Sequence, residues 1–157
     1  IQSGAGMQLD DAATILSHAD FFEVCNADQR RLLAFASERK KYRPGSVIYE
    51  SGDTPEGAHV LVSGSVQTTQ DGVENNPYII HQQGALLGAT ALVVAKPRPV
   101  TVKAIDAVET LFVPRSAFMK LANQYPDLAA RAADRIRRDL SGYLGAIESV
   151  RTKIGKG

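Results

Sequence analysis

An alternating apolar pattern, interrupted by glycines, occupies the middle of this 157-residue chain and limits what it can fold into. Between Lys40 and Pro114, apolar residues recur at every second position, as in strands with one buried face: Val47 and Tyr49; Ala58, Val60 and Val62; Val100 and Val102; Leu111 and Val113. Seven glycines divide this region, a density typical of short strands joined by tight turns: Gly45, Gly52, Gly57, Gly64, Gly72, Gly84 and Gly88. The pattern predicts an all-β barrel or roll over residues 40–114.

Helical patterns flank this β region on both sides. Apolar residues have helical spacing within Leu9–Ser17, and Asn26 followed by Gln29 three positions later is typical of a capping box that starts a second helix. After Pro114 the spacing is helical again, with a short helix predicted over Arg115–Asn123. The fold class is therefore mainly β with flanking α.

A long C-terminal helix is predicted from Pro126 to about residue 154. Its apolar residues are separated alternately by four and three positions, which is the spacing of a paired-helix seam: Ala129, Ala133, Ile136, Leu140, Tyr143, Ile147, Val150 and Ile154. Leu128 and Ala132 broaden the first half enough to pack along the β region of the same chain. The second half has no later element to cover it, which favours a homodimer through this helix, with intrachain packing as the alternative.

Composition and charge exclude several classes of protein. A hydrophobic content of 44% and a net charge of +1 are typical of one globular domain, expected over residues 7–157, without a basic field for nucleic acid. No segment reaches the roughly 18 apolar residues of a membrane span. Residues 1–6 precede Met7 and are interpreted as a cloning remnant. Cys25, the single cysteine, follows apolar residues and is expected to be buried, which suits a reducing cytoplasm.

Four segments spread along the chain match one known family in order. They are Leu16–Phe22, Pro44–Asp53, Val60–Val66 and Phe112–Phe118, and a fifth, Gly84–Ala104, has the frame of a phosphate-binding cassette. Together they resemble the cyclic-nucleotide-binding domain family, in particular sensor domains like that of catabolite activator protein. The resemblance implies an eight-stranded double-stranded β-helix, or jelly-roll-like barrel, preceded by helices and followed by a short and then a long helix. Many relatives append a helix-turn-helix after the long helix, and because this chain ends at Gly157, no DNA binding is expected.

In that family the cassette binds a cyclic phosphate through an arginine, through backbone amides at a short helix start, and through a glutamate that binds the ribose 2'-hydroxyl. The resemblance places Arg98 at the arginine position and Gly88 just before the glutamate position. Ala89 stands where the glutamate would be, which removes a hydrogen bond worth roughly 1.5 to 3 kcal/mol. Pro99 lacks an amide that could donate to phosphate. The residues implied as ligand-binding are Gly88, Ala89, Thr90, Ala91, Arg98, Pro99, Val100 and Thr101.

This altered cassette leaves three hypotheses open. The domain binds cAMP or cGMP, binds a different small anion, or has lost its ligand and acts as a protein-interaction module with Arg98 as a solvated loop residue. In the first two cases we expect a signalling mechanism in which ligand at Arg98 shifts the helix after Pro126 and alters contacts with an effector protein. Arg98→Ala is expected to abolish binding and to leave folding intact, because a loop side chain supports little core.

An enzyme of the cupin type is the main alternative with a small β-barrel. Such enzymes need clustered histidines for a metal, and this chain has only His18, His59 and His81, without a His-x-His pair. His59 and His81 fall on predicted strands, where structural histidines are expected. The turn at Ser63-Gly64-Ser65 lacks the surroundings of a nucleophile elbow. We therefore expect no enzyme activity, no metal and no cofactor.

Overall fold

The computed structural model describes residues 4–70 and 73–138. It begins with helix α1 (Gly4–His18), a 3-10 turn (Asp20–Val24) and helix α2 (Ala27–Ala36). The predicted capping box is confirmed: the Asn26 side chain accepts the Gln29 amide at 2.8 Å, and the Gln29 side chain accepts the Asn26 amide at 2.9 Å. Helix α1 starts three residues before Met7, so it includes part of the segment interpreted as a cloning remnant.

Eight antiparallel strands follow and form two four-stranded sheets, which confirms the predicted fold class. The strands are β1 (Glu38–Tyr42), β2 (Val47–Tyr49), β3 (Gly57–Ser63), β4 (Val66–Gln70), β5 (Val73–Ile80), β6 (Leu86–Leu87), β7 (Thr101–Ala104) and β8 (Val108–Pro114). One sheet has the order β1-β8-β3-β6 and the other β2-β7-β4-β5. Strands distant in sequence are therefore neighbours, and β3 pairs with β8 along its length.

Two apolar clusters hold these layers together. The larger joins the helices to the first sheet around the fully buried Phe22, Leu92 and Phe118. The smaller packs Leu61 and Val102 between the sheets. Burial of Cys25 is confirmed, with 3% of its surface exposed.

The segment between β6 and β7 carries the predicted cassette. Gly88 leads from β6 into a second 3-10 turn (Ala89–Leu92), whose residues Ala91 and Leu92 are buried and anchor the turn to the core. Because one end of the segment is fixed by these apolar contacts and the other by β7, the loop that contains Arg98 is held against β3.

Two helices end the described chain, α3 (Arg115–Gln124) and α4 (126–138). Leu128 and Ala132 of α4 are fully buried in the larger cluster, so the first half of the predicted long helix packs on its own chain. Of the predicted seam, Ala133 is exposed and Ile136 half-buried, and the residues from Leu140 onward lie outside the described residues. None of the described helices is long and apolar enough to cross a membrane.

Candidate ligand-binding site

A cavity of about 350 Å³ opens beside the cassette. Six of the eight predicted site residues line it: Gly88, Thr90, Ala91, Arg98, Pro99 and Val100. The remaining lining residues are Tyr49, Pro55, Lys96 and Pro97. The structure thus brings most of the predicted set to one place, together with four residues that were not predicted.

Arg98 is the central polar residue of this cavity, and it is 6% exposed. Its Nη2 donates to the Gly57 carbonyl at 2.7 Å, and its guanidinium carbon lies 3.9 Å from the centroid of the Tyr49 ring. Its backbone is also held, because the amide donates to Asp53 O and the carbonyl accepts from the Gly52 amide, both at 2.8 Å. The hypothesis of a solvated Arg98, which belonged to one of the three alternatives left open, does not agree with this burial, because contacts from β2 and β3 enclose the side chain.

This burial changes the expectation that Arg98→Ala leaves folding intact. Its replacement by alanine would remove a buried hydrogen bond and a ring contact, so folding would not be left intact. Burial also lowers the pKa of the guanidinium, although arginine stays charged in proteins. Within the described residues, its buried Nε has no hydrogen-bond partner. A buried donor without a partner is costly and is a natural contact for an anion.

Gly88 is required by the position of Arg98. Its φ of +77° lies in the left-handed region, and a Cβ at this position would overlap Nη1 of Arg98. Only glycine allows both the turn and the close approach of the guanidinium. Glycine at position 88 and the buried position of the Arg98 guanidinium therefore depend on each other.

The first turn after Gly88 supplies fewer free amides than predicted. The Ala91 amide donates to Gly88 O at 3.0 Å and closes the turn, so it is not free for a ligand. The Thr90 amide comes earlier in the turn, where no carbonyl within the turn is available to it. Thr90 is thus the residue of this turn whose backbone amide can donate to an anion in the cavity.

Two predicted site residues do not line this cavity. Ala89 lines a neighbouring cavity of about 410 Å³, together with residues that include His18 and Arg135. Thr101 accepts the Ser51 amide on its Oγ1 at 3.0 Å and so stabilises the backbone next to the site. Both belong to the cassette sequence, but Ala89 is in the turn after Gly88 and Thr101 is the first residue of β7.

Tyr49 and Lys96 are the functional candidates that sequence reasoning missed. Tyr49 was recognised only as part of the alternating pattern. That pattern places it on a strand but does not show that the loop containing Arg98 lies against it. Lys96 is an exposed cation two positions before Arg98 and faces the same cavity. Its charge within the cassette was the signal that could have identified it.

His59 lies behind the cavity and has a structural role. It is 5% exposed, its Nδ1 is 3.0 Å from the Thr110 hydroxyl oxygen, and its ring packs against Phe112. Burial, with smaller effects from the Arg98 and Lys40 charges, lowers the pKa of His59 to about 3, so the ring is neutral at pH 7. His81 is exposed and follows the end of β5. Among the described residues, no three His, Cys, Asp or Glu side chains are grouped to hold a metal ion.

Comparison with known proteins identifies the family. The family model described as "Cyclic nucleotide-binding domain" matches residues 39–125, more than half of the chain. The chain belongs to the cyclic nucleotide-binding domain family. The matched range includes all eight strands of this domain except the first residue of β1, as well as the cassette and α3.

Relatives with this domain occur in larger proteins. The chain is 28% identical over 106 residues to the cAMP-dependent protein kinase regulatory subunit of Pyricularia oryzae, covering 68% of this chain and 27% of that protein. It is 27% identical over 104 residues to lysophospholipase nte1 of Aspergillus terreus, covering 65% of this chain and only 7% of that protein. The solved structure of cAMP-bound PfPKA-R superposes with a TM-score of 0.76 at 22% identity, covering 96% of this chain and 50% of that one. At 22% identity, this similarity shows that the two folds are alike and nothing more.

Proposed function

We propose that this domain is a regulatory sensor whose cassette cavity binds the phosphate of a cyclic nucleotide, cAMP or cGMP. The observation that carries the proposal is the buried Arg98 guanidinium, which lines a cavity and has an Nε without a hydrogen-bond partner in the described structure. An anionic phosphate would provide that partner, and arginine's planar fork suits phosphate oxygens. Membership in the family and the cAMP named for its relatives support the choice of ligand.

Two other groups favour an anion in this cavity. The Thr90 amide precedes the first amide that bonds within the 3-10 turn, and the exposed Lys96 adds a second positive charge to the wall. Among the ten residues that line the cavity there is no acidic side chain to repel a phosphate. The net positive charge of the wall therefore selects for anions.

The ribose of a cyclic nucleotide would be held less firmly than its phosphate. Ala89 has no carboxylate and lines the neighbouring cavity, so the side chain at position 89 offers no acceptor to a 2'-hydroxyl. The missing charge-assisted hydrogen bond corresponds to about one to two decades in affinity. A small anion without a ribose, held by Arg98 alone, is the second candidate that this arrangement favours.

Isothermal titration calorimetry with cAMP and cGMP tests the proposal. Wild-type protein should bind at least one nucleotide, and Arg98→Lys should weaken binding by tenfold or more because lysine keeps the charge and loses the planar fork. Lys41→Gln, which removes an exposed cation on β1, is the matched control and should bind as wild type does. No heat above dilution with millimolar nucleotide would rule out cyclic nucleotides, and the same titration with inorganic phosphate would then test the small-anion candidate.

We also propose that the domain forms a homodimer through its C-terminal helix and transmits ligand binding to an effector protein. Ile136 packs in part against the larger apolar cluster of its own chain, whereas the seam position Ala133 is exposed and open to a partner. Ala133→Glu, which places a charge on the seam at an exposed position, should convert a dimer to a monomer in sedimentation equilibrium. A wild-type protein that is monomeric at every concentration would contradict this proposal without affecting ligand binding.

A further inference from the structure

Tyr49 lies in the wall of the cavity, and the proposed function does not use it. It ends β2 and is 9% exposed, and its ring lies beneath the Arg98 guanidinium. Its hydroxyl oxygen is 3.5 Å from the place that a Cβ on Gly88 would occupy, and Nη1 of Arg98 borders the same place. The phenol hydroxyl and the guanidinium therefore converge at the cassette turn.

The Tyr49 hydroxyl has unused hydrogen-bonding capacity. Within residues 4–70 and 73–138, no protein group forms a hydrogen bond with this hydroxyl. Burial raises the pKa of Tyr49, against a smaller opposing effect of the Arg98 charge, so the phenol keeps its proton at neutral pH and can donate it. The ring is buried, but the hydroxyl is not one of the described side-chain atoms that are both buried and unpaired, so it is accessible and can contact a ligand in the cavity that Tyr49 lines.

The direction of this hydroxyl is fixed by the packing of its ring. Tyr49 packs on His59, with ring centroids 6.0 Å apart, and His59 is held in turn by Thr110. The Tyr49 backbone pairs with Val102 in β7. A ring clamped between His59 and Arg98 loses little further entropy when its hydroxyl binds a ligand.

We propose that Tyr49 is a ligand-binding residue whose hydroxyl donates a hydrogen bond to the anion held by Arg98. The two donors would form one site, with the phenol supplying a hydrogen bond that the amide-lacking Pro99 cannot supply. This inference rests on the proposed function, because it assumes that an anion occupies the cavity. It adds a contact that the sequence pattern of the cassette does not contain, since Tyr49 is far from Arg98 in the chain.

Tyr49→Phe removes this hydroxyl and keeps the ring under Arg98. The dissociation constant for cAMP, measured by calorimetry, should rise on the order of tenfold, while the thermal unfolding midpoint stays near that of wild type. Tyr42→Phe is the matched control because Tyr42 also contacts His59, with centroids 6.4 Å apart, and does not line the cavity. Its affinity for cAMP should be that of wild type.

The outcomes separate this inference from the proposed function. If wild type binds cAMP, Arg98→Lys weakens binding and Tyr49→Phe leaves it unchanged, the role of Tyr49 is refuted and the proposed function stands. If Tyr49→Phe and Tyr42→Phe weaken binding equally, the effect comes from packing around His59, which also refutes it. If wild type binds neither nucleotide nor inorganic phosphate, both proposals fail together.

Discussion

Replacing Gly88 by alanine tests whether the cassette depends on the close approach of Arg98. The added Cβ would overlap Nη1 of Arg98, so either the turn or the guanidinium must move. The turn is anchored by buried Ala91 and Leu92, which leaves the guanidinium as the part that moves. It would then lose its bond to Gly57 O and its contact with Tyr49.

The expected cost has two parts. The left-handed backbone costs an alanine about 1 to 2 kcal/mol. The charge-assisted hydrogen bond contributes roughly 1.5 to 3 kcal/mol, and the cation–π contact roughly 0.5 to 2 kcal/mol. Gly45→Ala provides the matched control for the first part, because Gly45 has a φ of +83° and nothing within 4 Å of the position that an added Cβ would take. Gly88→Ala should therefore lower the free energy of unfolding by about 2 to 5 kcal/mol more than Gly45→Ala.

Urea denaturation of both variants measures this difference. A double variant, Gly88→Ala with Arg98→Ala, gives a second test, because removing the guanidinium also removes the overlap. The two substitutions should then destabilise the protein by less than the sum of their separate effects. Equal destabilisation by Gly88→Ala and Gly45→Ala, or strict additivity in the double variant, would refute the reasoning.

Three further predictions concern residues outside the cavity. Asn26→Ala should lower the free energy of unfolding by about 1 kcal/mol in urea denaturation, because it breaks the capping box, whereas Asn26→Asp should preserve most of it. Burial raises the pKa of Cys25 to about 11, so its thiol should react with Ellman's reagent only on unfolding; a native protein that reacts as fast as an unfolded one would contradict this. The pKa of His59 is about 3 in the folded state, against 6.5 for an unperturbed histidine. Between pH 6.5 and pH 3, the unfolded state therefore binds a proton at His59 that the folded state does not. Stability should fall by up to about 1.4 kcal/mol per pH unit below pH 6.5, and His59→Gln should lack this part of the slope in unfolding measured from pH 7 to 4.

Much of the fold could be predicted because its signals are local. The capping box at Asn26 depends on residues three positions apart, and the alternation in Leu111 and Val113 depends on residues two apart. Helix α3 was predicted to within one residue of its observed end, Gln124. His81 was assigned to a strand and lies just past one, a small error typical of element ends, where the pattern fades.

The site could be predicted only in part, because membership in a sequence segment does not determine which way a side chain faces. Ala89 belongs to the cassette but lines a neighbouring cavity, since the turn after Gly88 rotates successive residues to different sides. Thr101 begins β7, and its hydroxyl accepts the Ser51 amide. Tyr49 faces Arg98 from a strand 49 positions earlier in the chain.

The sequence by itself determined the family, the order of helices and strands, and the presence of one arginine in a glycine-led cassette. The order of elements follows from periodicity and short-range spacing, whereas the family and the place of Arg98 in the cassette follow from the resemblance of ordered sequence segments. Only the tertiary structure decided that Arg98 is buried, that its Nε has no partner among the described residues and that Tyr49 lies beneath it. Those properties depend on β2 and β3 meeting the loop before β7, and long-range contacts of this kind are set by the packing of the whole domain.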